Sequence, residues 1–265
     1  MAMVTKRLDT LLVERGLAPS RERAQARILA GDVLVDGRPI CKSGTKVSLE
    51  AEVVLRGEDL PYVSRGGLKL EKAIKSFGLD FKDKIVIDVG SSTGGFTDCA
   101  LQHGAKKVYA VDVGYGQLAW RLRQDPRVVV LERTNIRQLN KTQLILPPSV
   151  ACIDVSFISL EKVIPHVVDI LIGNKELVAL IKPQFEVGRG KVGKGGIVRD
   201  PSLHKEVLSR IVSMVSQYLT CVALDYSPIT GAKGNIEYLL YAHLSSTKSL
   251  VNVNQVVATA HTELA

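Results

Sequence analysis

Asp88-Val89-Gly90-Ser91-Ser92-Thr93-Gly94-Gly95-Phe96-Thr97 lies between the apolar run Lys84 to Val89 and a helix-spaced segment, Thr97 to Gln102, that stops before Gly104. A glycine-rich turn that leaves a buried strand and opens a helix sits at the carboxyl edge of a sheet, where doubly wound α/β folds admit nucleotides. Glycines there let the backbone approach a ligand that a side chain would hold away. The spacing departs from G-x-G-x-x-G, because position 92 is Ser, and this weakens the case for a pyrophosphate. An acidic residue opening the turn suits a ligand that carries positive charge. S-adenosylmethionine has a sulfonium and an ammonium, so it fits Asp88 better than a dinucleotide does. A second carboxylate, Asp112, closes the next strand 24 residues later and is placed to accept hydrogen bonds from ribose hydroxyls. The candidate cofactor residues are thus Asp88, Gly90, Ser91, Ser92, Thr93, Gly94, Gly95, Phe96, Asp112 and Val113. A tight turn that holds no ligand is the competing reading.

Outward from this turn the chain alternates. Strands are predicted at 84–89, 108–113, 128–131, 150–153 and 177–181, with helices at 67–77, 97–102, 117–123, 160–172 and 204–218. Such alternation predicts an α/β fold, a mostly parallel Rossmann-like sheet covered on both faces. The last two strands, near 220–226 and 237–242, have no helix between them and predict an antiparallel hairpin at the sheet edge. The first fifty-odd residues differ. Helices at 7–13 and 21–30, the latter with Ser20 as N-cap, precede Val33-Leu34-Val35, the tight-turn signal Asp36-Gly37 and short strands at Val47 and 53–55. The expected domains are a small α+β module at 1–57, a linker at 58–63, the α/β domain at 64–245 and a polar tail at 246–265.

Composition narrows the function. With 265 residues, 46% of them apolar, the chain can bury a substantial core. Its net charge of +8 favours a polyanionic partner such as nucleic acid or else a basic solvated surface, the two being evenly matched on charge alone. The N-terminus lacks an apolar leader and the most apolar stretch, 163–172, is broken by Pro165, His166 and Asp169, so no membrane insertion is expected and the location is read as cytoplasmic. The four cysteines are too scattered for a metal or disulfide framework.

Polar residues close two later apolar strands: Asp154 after Val150 to Ile153, and Lys182 after Leu177 to Ile181. Glu237 opens Tyr238-Leu239-Leu240-Tyr241, and Lys69 lies on the helix before the first strand. Two lysines and two carboxylates converging on one cleft form a set in which a desolvated lysine near another cation acts as a base. Each taken alone is more often a structural ion pair.

The stretches Val63-Ser64-Arg65-Gly66-Gly67-Leu68-Lys69-Leu70, Asp88 to Thr97, Asp112 to Trp120, Asp154-Val155-Ser156-Phe157-Ile158-Ser159-Leu160, Lys182-Pro183-Gln184-Phe185-Glu186-Val187-Gly188 and Gly234-Asn235-Ile236-Glu237-Tyr238 carry a resemblance. The chain resembles the hemolysin A, or TlyA, family of ribosomal-RNA 2′-O-methyltransferases nearly end to end, thinning after residue 244. The resemblance implies a class I methyltransferase domain similar to the heat-shock RNA 2′-O-methyltransferases, whose Lys-Asp-Lys-Glu tetrad falls on Lys69, Asp154, Lys182 and Glu237. It implies that Lys182 is the base toward a ribose 2′-hydroxyl, with the other three orienting the hydroxyl and tuning Lys182. It further implies a cytidine of small- or large-subunit rRNA as substrate.

The N-terminal module resembles an S4 RNA-binding domain in Arg7-Leu8-Asp9, Gly16-Leu17, Ser20-Arg21, Ala24 and Gly31 to Gly37. Ten basic against nine acidic residues up to position 60 leave almost no net charge, so a basic face there must come from arrangement, with Lys6, Arg7, Arg21, Arg23, Arg27 and Lys42 as candidates. Residues 182–205 are openly basic and rich in glycine, and Arg189, Lys191 and Lys194 suit a phosphate-gripping lid, against the plain reading of a solvated loop. Arg65 and Arg133 are further RNA candidates, and Phe157 could stack on an extruded base, although such an aromatic is more often core. Two other functions stay open at this point: a membrane-active hemolysin, which liposome leakage would reveal, and an inactive RNA-binding assembly factor, which absent cofactor binding would reveal. The residues leave oligomeric state open.

Overall fold

A computed structural model of the chain describes residues 4–29, 31–56, 60–188, 190–247 and 249–264. It divides into two compact units, Met1–Arg65 and Gly66–Ala265.

In the first unit, β1 (Thr5–Arg7), α1 (Leu8–Glu14), α2 (Arg21–Leu29), β2 (Val33–Val35), β3 (Arg38–Pro39), β4 (Lys46–Ser48) and β5 (Val53–Leu55) follow one another. Strand β1 pairs antiparallel with β4, and β2 lies between β3 and β5. The Asp36-Gly37 pair makes the two-residue turn that joins Val35 to Arg38 across the hairpin. Ser20 Oγ accepts from the Arg23 backbone N–H, so the expected cap of α2 is present. Leu8, Leu11, Leu12, Ala24, Ile28 and Val33 form the core. Beside them lies Asp9, fully buried, whose carboxylate accepts from Arg7 Nε at 3.0 Å and Nη2 at 2.8 Å, from Gln25 at 2.9 Å and from Arg21 at 3.2 Å.

In the second unit come α3 (Gly66–Phe77), β6 (Ile85–Val89), α4 (Gly95–Gln102), β7 (Lys107–Val111), α5 (Trp120–Arg123), β8 (Val128–Leu131), β9 (Val150–Ile153), α6 (Ile164–Ile170), β10 (Glu176–Ile181), α7 (Pro183–Glu186), α8 (Pro201–Val215), β11 (Thr220–Tyr226), β12 (Tyr238–His243) and α9 (Val253–Leu264). Among the described residues, seven strands form one sheet in the order β11-β12-β10-β9-β6-β7-β8. Strands β8, β7, β6, β9 and β10 run parallel, and β12 is antiparallel to both neighbours. The chain moves outward from β6 through β7 to β8, then returns to β9 on the other side of β6. A switch point therefore opens between β6 and β9 at their carboxyl ends.

The expected edge hairpin is present, and four other expectations about the elements need correcting. The last two strands pair antiparallel as that hairpin, with β12 beside β10 and β11 outermost at the edge. Tyr238, Leu239, Leu240 and Ala242 are wholly buried and fit an interior strand, whereas β11 alternates with half-buried positions. The helix expected over 160–172 is a 3₁₀ turn, Leu160–Lys162, followed by α6, and the one expected over 117–123 shortens to α5. Helix α8 begins at Pro201 rather than residue 204, because Asp200 caps it through the Ser202 N–H. Finally, the polar tail contains α9. Its Val257 and Ala260, three apart, are fully buried, it packs on α8 and β11, and Asn252 caps it through the Gln255 N–H.

The Asp9 network generates a prediction for the first unit. Its hydrogen bonds, from Arg7 first, hold the carboxyl well below the usual carboxylate range. A depressed carboxyl stabilises the fold above its unfolded pKa and loses that contribution as pH falls toward the folded one. Asp9→Ala is expected to destabilise this unit by about 1–3 kcal/mol at neutral pH and to shrink the loss of stability on acidification. Denaturation followed by amide exchange over residues 5–55 checks both.

Candidate active site

Strand register assembles the site. Val89 pairs with Ile153 at the ends of β6 and β9, so Gly90 and Asp154 leave the sheet side by side. The Asp154 N–H donates to the Val89 carbonyl at 2.9 Å. A Cβ on Gly90 would overlap the carbonyl oxygen of Asp154, and this residue also has φ of 86°. On the other side Ile181 pairs with Tyr238, which brings Lys182 and Glu237 to neighbouring positions at the same edge.

Two ion pairs result. Lys182 Nζ lies 2.6 Å from Asp154 Oδ1, and Lys69 Nζ, reaching from α3, lies 2.6 Å from Glu237 Oε2. Lys69 and Glu237 are buried, while Lys182 and Asp154 keep some contact with solvent. Lys182 also donates to Ser156 Oγ at 3.0 Å. All four tetrad candidates thus sit in two pairs on one sheet edge, as a shared cleft requires.

Several residues that sequence reasoning passed over hold this arrangement. Gly231 lies so close to Glu237 that a Cβ would overlap the Glu237 carboxylate. Buried Glu186 accepts from Ser159 Oγ at 2.6 Å and the Leu160 N–H at 2.8 Å, tying the helix that follows Lys182 to the turn that follows Asp154. Burial pushes the Glu186 carboxyl up. Glu186 stands within a quoted motif, but nothing local to the sequence separates it from a solvated glutamate.

The candidate cofactor turn lies at the switch point. Asp88 is 1% exposed, its Oδ2 accepts from Thr97 Oγ1 at 2.6 Å, and its Oδ1 has no hydrogen-bond partner. Burial raises its pKa to about 7, aided by the charges of Asp154 and Asp112. A buried, unsatisfied carboxylate oxygen at this place fits the ammonium or sulfonium of S-adenosylmethionine. Asp112 braces the neighbouring loops, accepting from the Ser92 N–H at 2.8 Å and the Gly114 N–H at 2.7 Å, and its oxygens keep lone pairs for ribose hydroxyls. Gly90 and Gly94 sit on either side of Ser91, whose carbonyl accepts from the Gly94 N–H. Ser92 and Val113 are exposed and Thr93 is half-buried, but Gly95 and Phe96 are buried in α4 and the Phe96 ring contributes packing.

The RNA candidates divide. Phe157 is 90% exposed with φ of 64° and its ring lies 4.8 Å from that of Phe185, so it is not core. Arg133 is exposed and stacks on the Tyr115 ring at 4.2 Å. Lys42 and Lys194 are exposed, Arg65 is half-buried, and Lys191 pairs at the surface with Glu206. In the first unit Lys6 pairs with Glu14, Arg7 and Arg21 engage Asp9, and Arg23 donates to the Tyr62 carbonyl. Arg27 requires correction: at 3% exposure, with its guanidinium on the Arg56 carbonyl and near Asp32, it belongs to the framework. Arg189 lies outside the described residues. Part of the basic segment is tied down: Asn235 accepts from the Val198 N–H and donates to the Gly196 carbonyl. Among the described residues no His, Cys, Asp and Glu cluster could hold a metal, and no helix is long and apolar enough to cross a membrane.

An open, mostly parallel sheet with a carboxylate-lined turn at its switch point and lysine–carboxylate pairs beside it defines a Rossmann-like methyltransferase. The FtsJ-like methyltransferase model matches residues 62–244 and the S4 domain model matches residues 6–53, and the chain belongs to the FtsJ-like methyltransferase family with an S4 domain at its N-terminus. It is 54% identical over 245 residues to YqxC of Bacillus subtilis, a candidate rRNA methyltransferase, covering 92% of this chain and 87% of that one. It is 43% identical over 246 residues to the 16S/23S rRNA (cytidine-2′-O)-methyltransferase TlyA of Mycobacterium tuberculosis, covering 92% of each. The solved structure of a candidate hemolysin from Streptococcus thermophilus superposes with a TM-score of 0.78 at 46% identity, over 99% of this chain and 98% of that one.

The titration of Asp88 gives the next prediction. Below about pH 7 the carboxyl is mostly protonated and offers a cation little, whereas above it the carboxylate attracts one. S-adenosylmethionine affinity is expected to rise about tenfold between about pH 6 and about pH 8, and Asp88→Asn to flatten that rise. Calorimetry across this range tests it; a flat wild-type profile would contradict the assignment of Asp88.

Proposed function

We propose that the chain methylates a ribose 2′-hydroxyl of ribosomal RNA, a cytidine in 16S or 23S rRNA, with S-adenosylmethionine as donor. The Mycobacterium tuberculosis relative is named for this reaction, and here it is carried over on the site. The observation that carries the reading is Lys182, which has a carboxylate and a hydroxyl within hydrogen-bonding distance at the edge beside the cofactor turn.

In this reading Asp88, Gly90, Ser91, Ser92, Thr93, Gly94, Asp112 and Val113 hold the cofactor, with Gly95 and Phe96 backing them from α4. When bound, it supplies an electrophilic methyl group on a cationic sulfur. Standing as the neutral amine, Lys182 accepts the 2′-proton and becomes the ammonium. Ser156 Oγ, a hydroxyl 3.0 Å from Lys182 Nζ, marks where a ribose hydroxyl would stand. Asp154 orients Lys182 and stabilises the ammonium once the proton has arrived. Lys69 and Glu237, locked together, fix the neighbouring wall and the charge around the hydroxyl. Most of the acceleration comes from this positioning, since a misplacement of about 1 Å can cost on the order of a hundredfold.

RNA is gripped by the S4-like domain at 1–57, joined by 58–63 to the catalytic domain at 64–245. Lys6, Arg7, Arg21, Arg23 and Lys42 supply contacts from the S4-like domain, and Arg65, Arg133, Arg189, Lys191 and Lys194 supply further phosphate contacts. Phe157, fully displayed beside Asp154, stacks on the extruded base. A ribosomal substrate places the work in the cytoplasm.

Purified protein, radiolabelled S-adenosylmethionine and undermethylated ribosomal subunits test the reading. Label is expected to enter rRNA with the wild type, and Lys182→Ala is expected to lower transfer by at least about a hundredfold with cofactor binding kept. No transfer from a protein that binds the cofactor would overturn the ribosomal substrate. Gly231→Ala pushes the Glu237 carboxylate away from Lys69. Its kcat is expected to fall about ten- to a hundredfold without loss of cofactor affinity, and an unchanged kcat would remove Glu237 from the mechanism.

A further inference from the structure

His204, on α8, is fully buried and joins three other segments. Its Nε2 lies 3.0 Å from the Val198 carbonyl in the basic segment. Its Nδ1 lies 2.6 Å from the Tyr238 hydroxyl on β12 and 3.1 Å from Nε2 of His261 on α9. A carbonyl only accepts, so Nε2 of His204 carries the proton and Nδ1 is an acceptor. The Tyr238 hydroxyl and the His261 Nε2–H therefore both point at one nitrogen of a neutral ring.

Two of the spokes lead to something the reaction uses, and the third fixes the C-terminal helix. Tyr238 follows Glu237 directly in the chain, and the Ser227 N–H donates to the Glu237 carbonyl at 2.8 Å. Val198 lies in the basic segment, and Asn235, two residues before Glu237, holds that segment at Val198 and Gly196. His261 anchors α9, whose Glu263 also accepts from Tyr226 at the sheet edge.

We propose that His204 is a positioning residue for methyl transfer: through its ring it sets the Glu237 strand, the RNA-facing basic segment and the C-terminal helix in one register. This rests on the methyltransferase reading above. The ring touches neither cofactor turn nor tetrad, so its effect passes through Tyr238 and Val198. The two ring nitrogens serve different ends. Nδ1 secures the catalytic strand and α9, and Nε2 secures the RNA-binding segment.

The hub works with a neutral ring. Protonation of Nδ1 removes the lone pair that the Tyr238 hydroxyl and the His261 Nε2–H share. Burial depresses the pKa of both histidines; the charges facing them are each other and Asp200, the α8 cap, with the Tyr238 hydroxyl on β12 as the polar neighbour. Both pKa values are depressed, so the folded protein binds fewer protons than the unfolded chain just below the ordinary histidine range. Stability and α9 docking are consequently lost as pH falls through that window.

Two substitutions separate the two nitrogens. His204→Asn keeps an acceptor near Nδ1 and loses the donor to Val198, whereas His204→Gln keeps a donor near Nε2 and loses the acceptor for Tyr238 and His261. With ribosomal subunits as substrate, His204→Asn is expected to raise the KM for RNA about tenfold with kcat little changed, and His204→Gln to lower kcat about tenfold with that KM little changed. Affinity for S-adenosylmethionine, the control for folding, should stay at the wild-type value in both. Amide exchange, which needs no RNA, should quicken over residues 193–198 in the Asn variant and over 253–264 in the Gln variant. Equal changes in both parameters, or none, would overturn the proposal. If the wild type binds cofactor but methylates no rRNA, the functional reading fails, and the exchange pattern alone then upholds or refutes the hub.

Discussion

The contact on which the site depends is the one between Gly90 and Asp154. Two parallel strands end side by side there, and the carbonyl of Asp154 fills the space a Cβ would take. Because β6 and β9 can close to this distance, Asp88 and Asp154 come to the same mouth of the sheet. Because the chain departs in opposite directions from these strands, the mouth stays open above them. A side chain at position 90 would separate the strands and with them the cofactor turn from the tetrad.

The charges at this edge are costly to bury and are arranged accordingly. Lys69 and Glu237 give up most of their solvent but find each other at 2.6 Å, and Lys182 and Asp154 repeat the pattern nearer the surface. Pairing of this kind contributes little net stability compared with an apolar substitute, yet breaking one member is expensive. It is better understood as fixing where the lysine nitrogens stand. Asp88 is the exception, a buried carboxyl group with one oxygen unmatched, an imbalance that a bound cation would resolve. The cofactor turn and the pairs are therefore complementary: one lacks a positive partner, the others already have theirs.

Much of this was legible in the sequence because the signals are local. The turn from Asp88 to Thr97 announces a strand, a tight bend and a helix within ten residues, and polar residues directly after apolar runs mark Asp154 and Lys182 at strand ends. Insertion of β12 between β10 and β11 was not legible, because strand order depends on pairing partners remote in the chain. Helix α9 was hidden by its composition: β-branched and polar residues such as Val253, Asn254 and Thr259 have weak helix propensity, and only Val257 and Ala260 are fully buried. Arg27 looked like a surface cation because its carbonyl partner at Arg56 is 29 residues away. The same holds for His204, whose three partners come from three segments.

In the proposed reaction the methyl group goes to a ribose oxygen of ribosomal RNA. The most direct test is chemical: a 2′-O-methylated ribose has no free hydroxyl to attack its own phosphodiester, so the linkage after it survives alkali. Undermethylated ribosomal RNA exposed to the protein and S-adenosylmethionine should yield one or a few alkali-resistant linkages that carry the new methyl, each following a cytidine. A methyl group recovered on a base, with every linkage still cleaved by alkali, would rule out transfer to ribose.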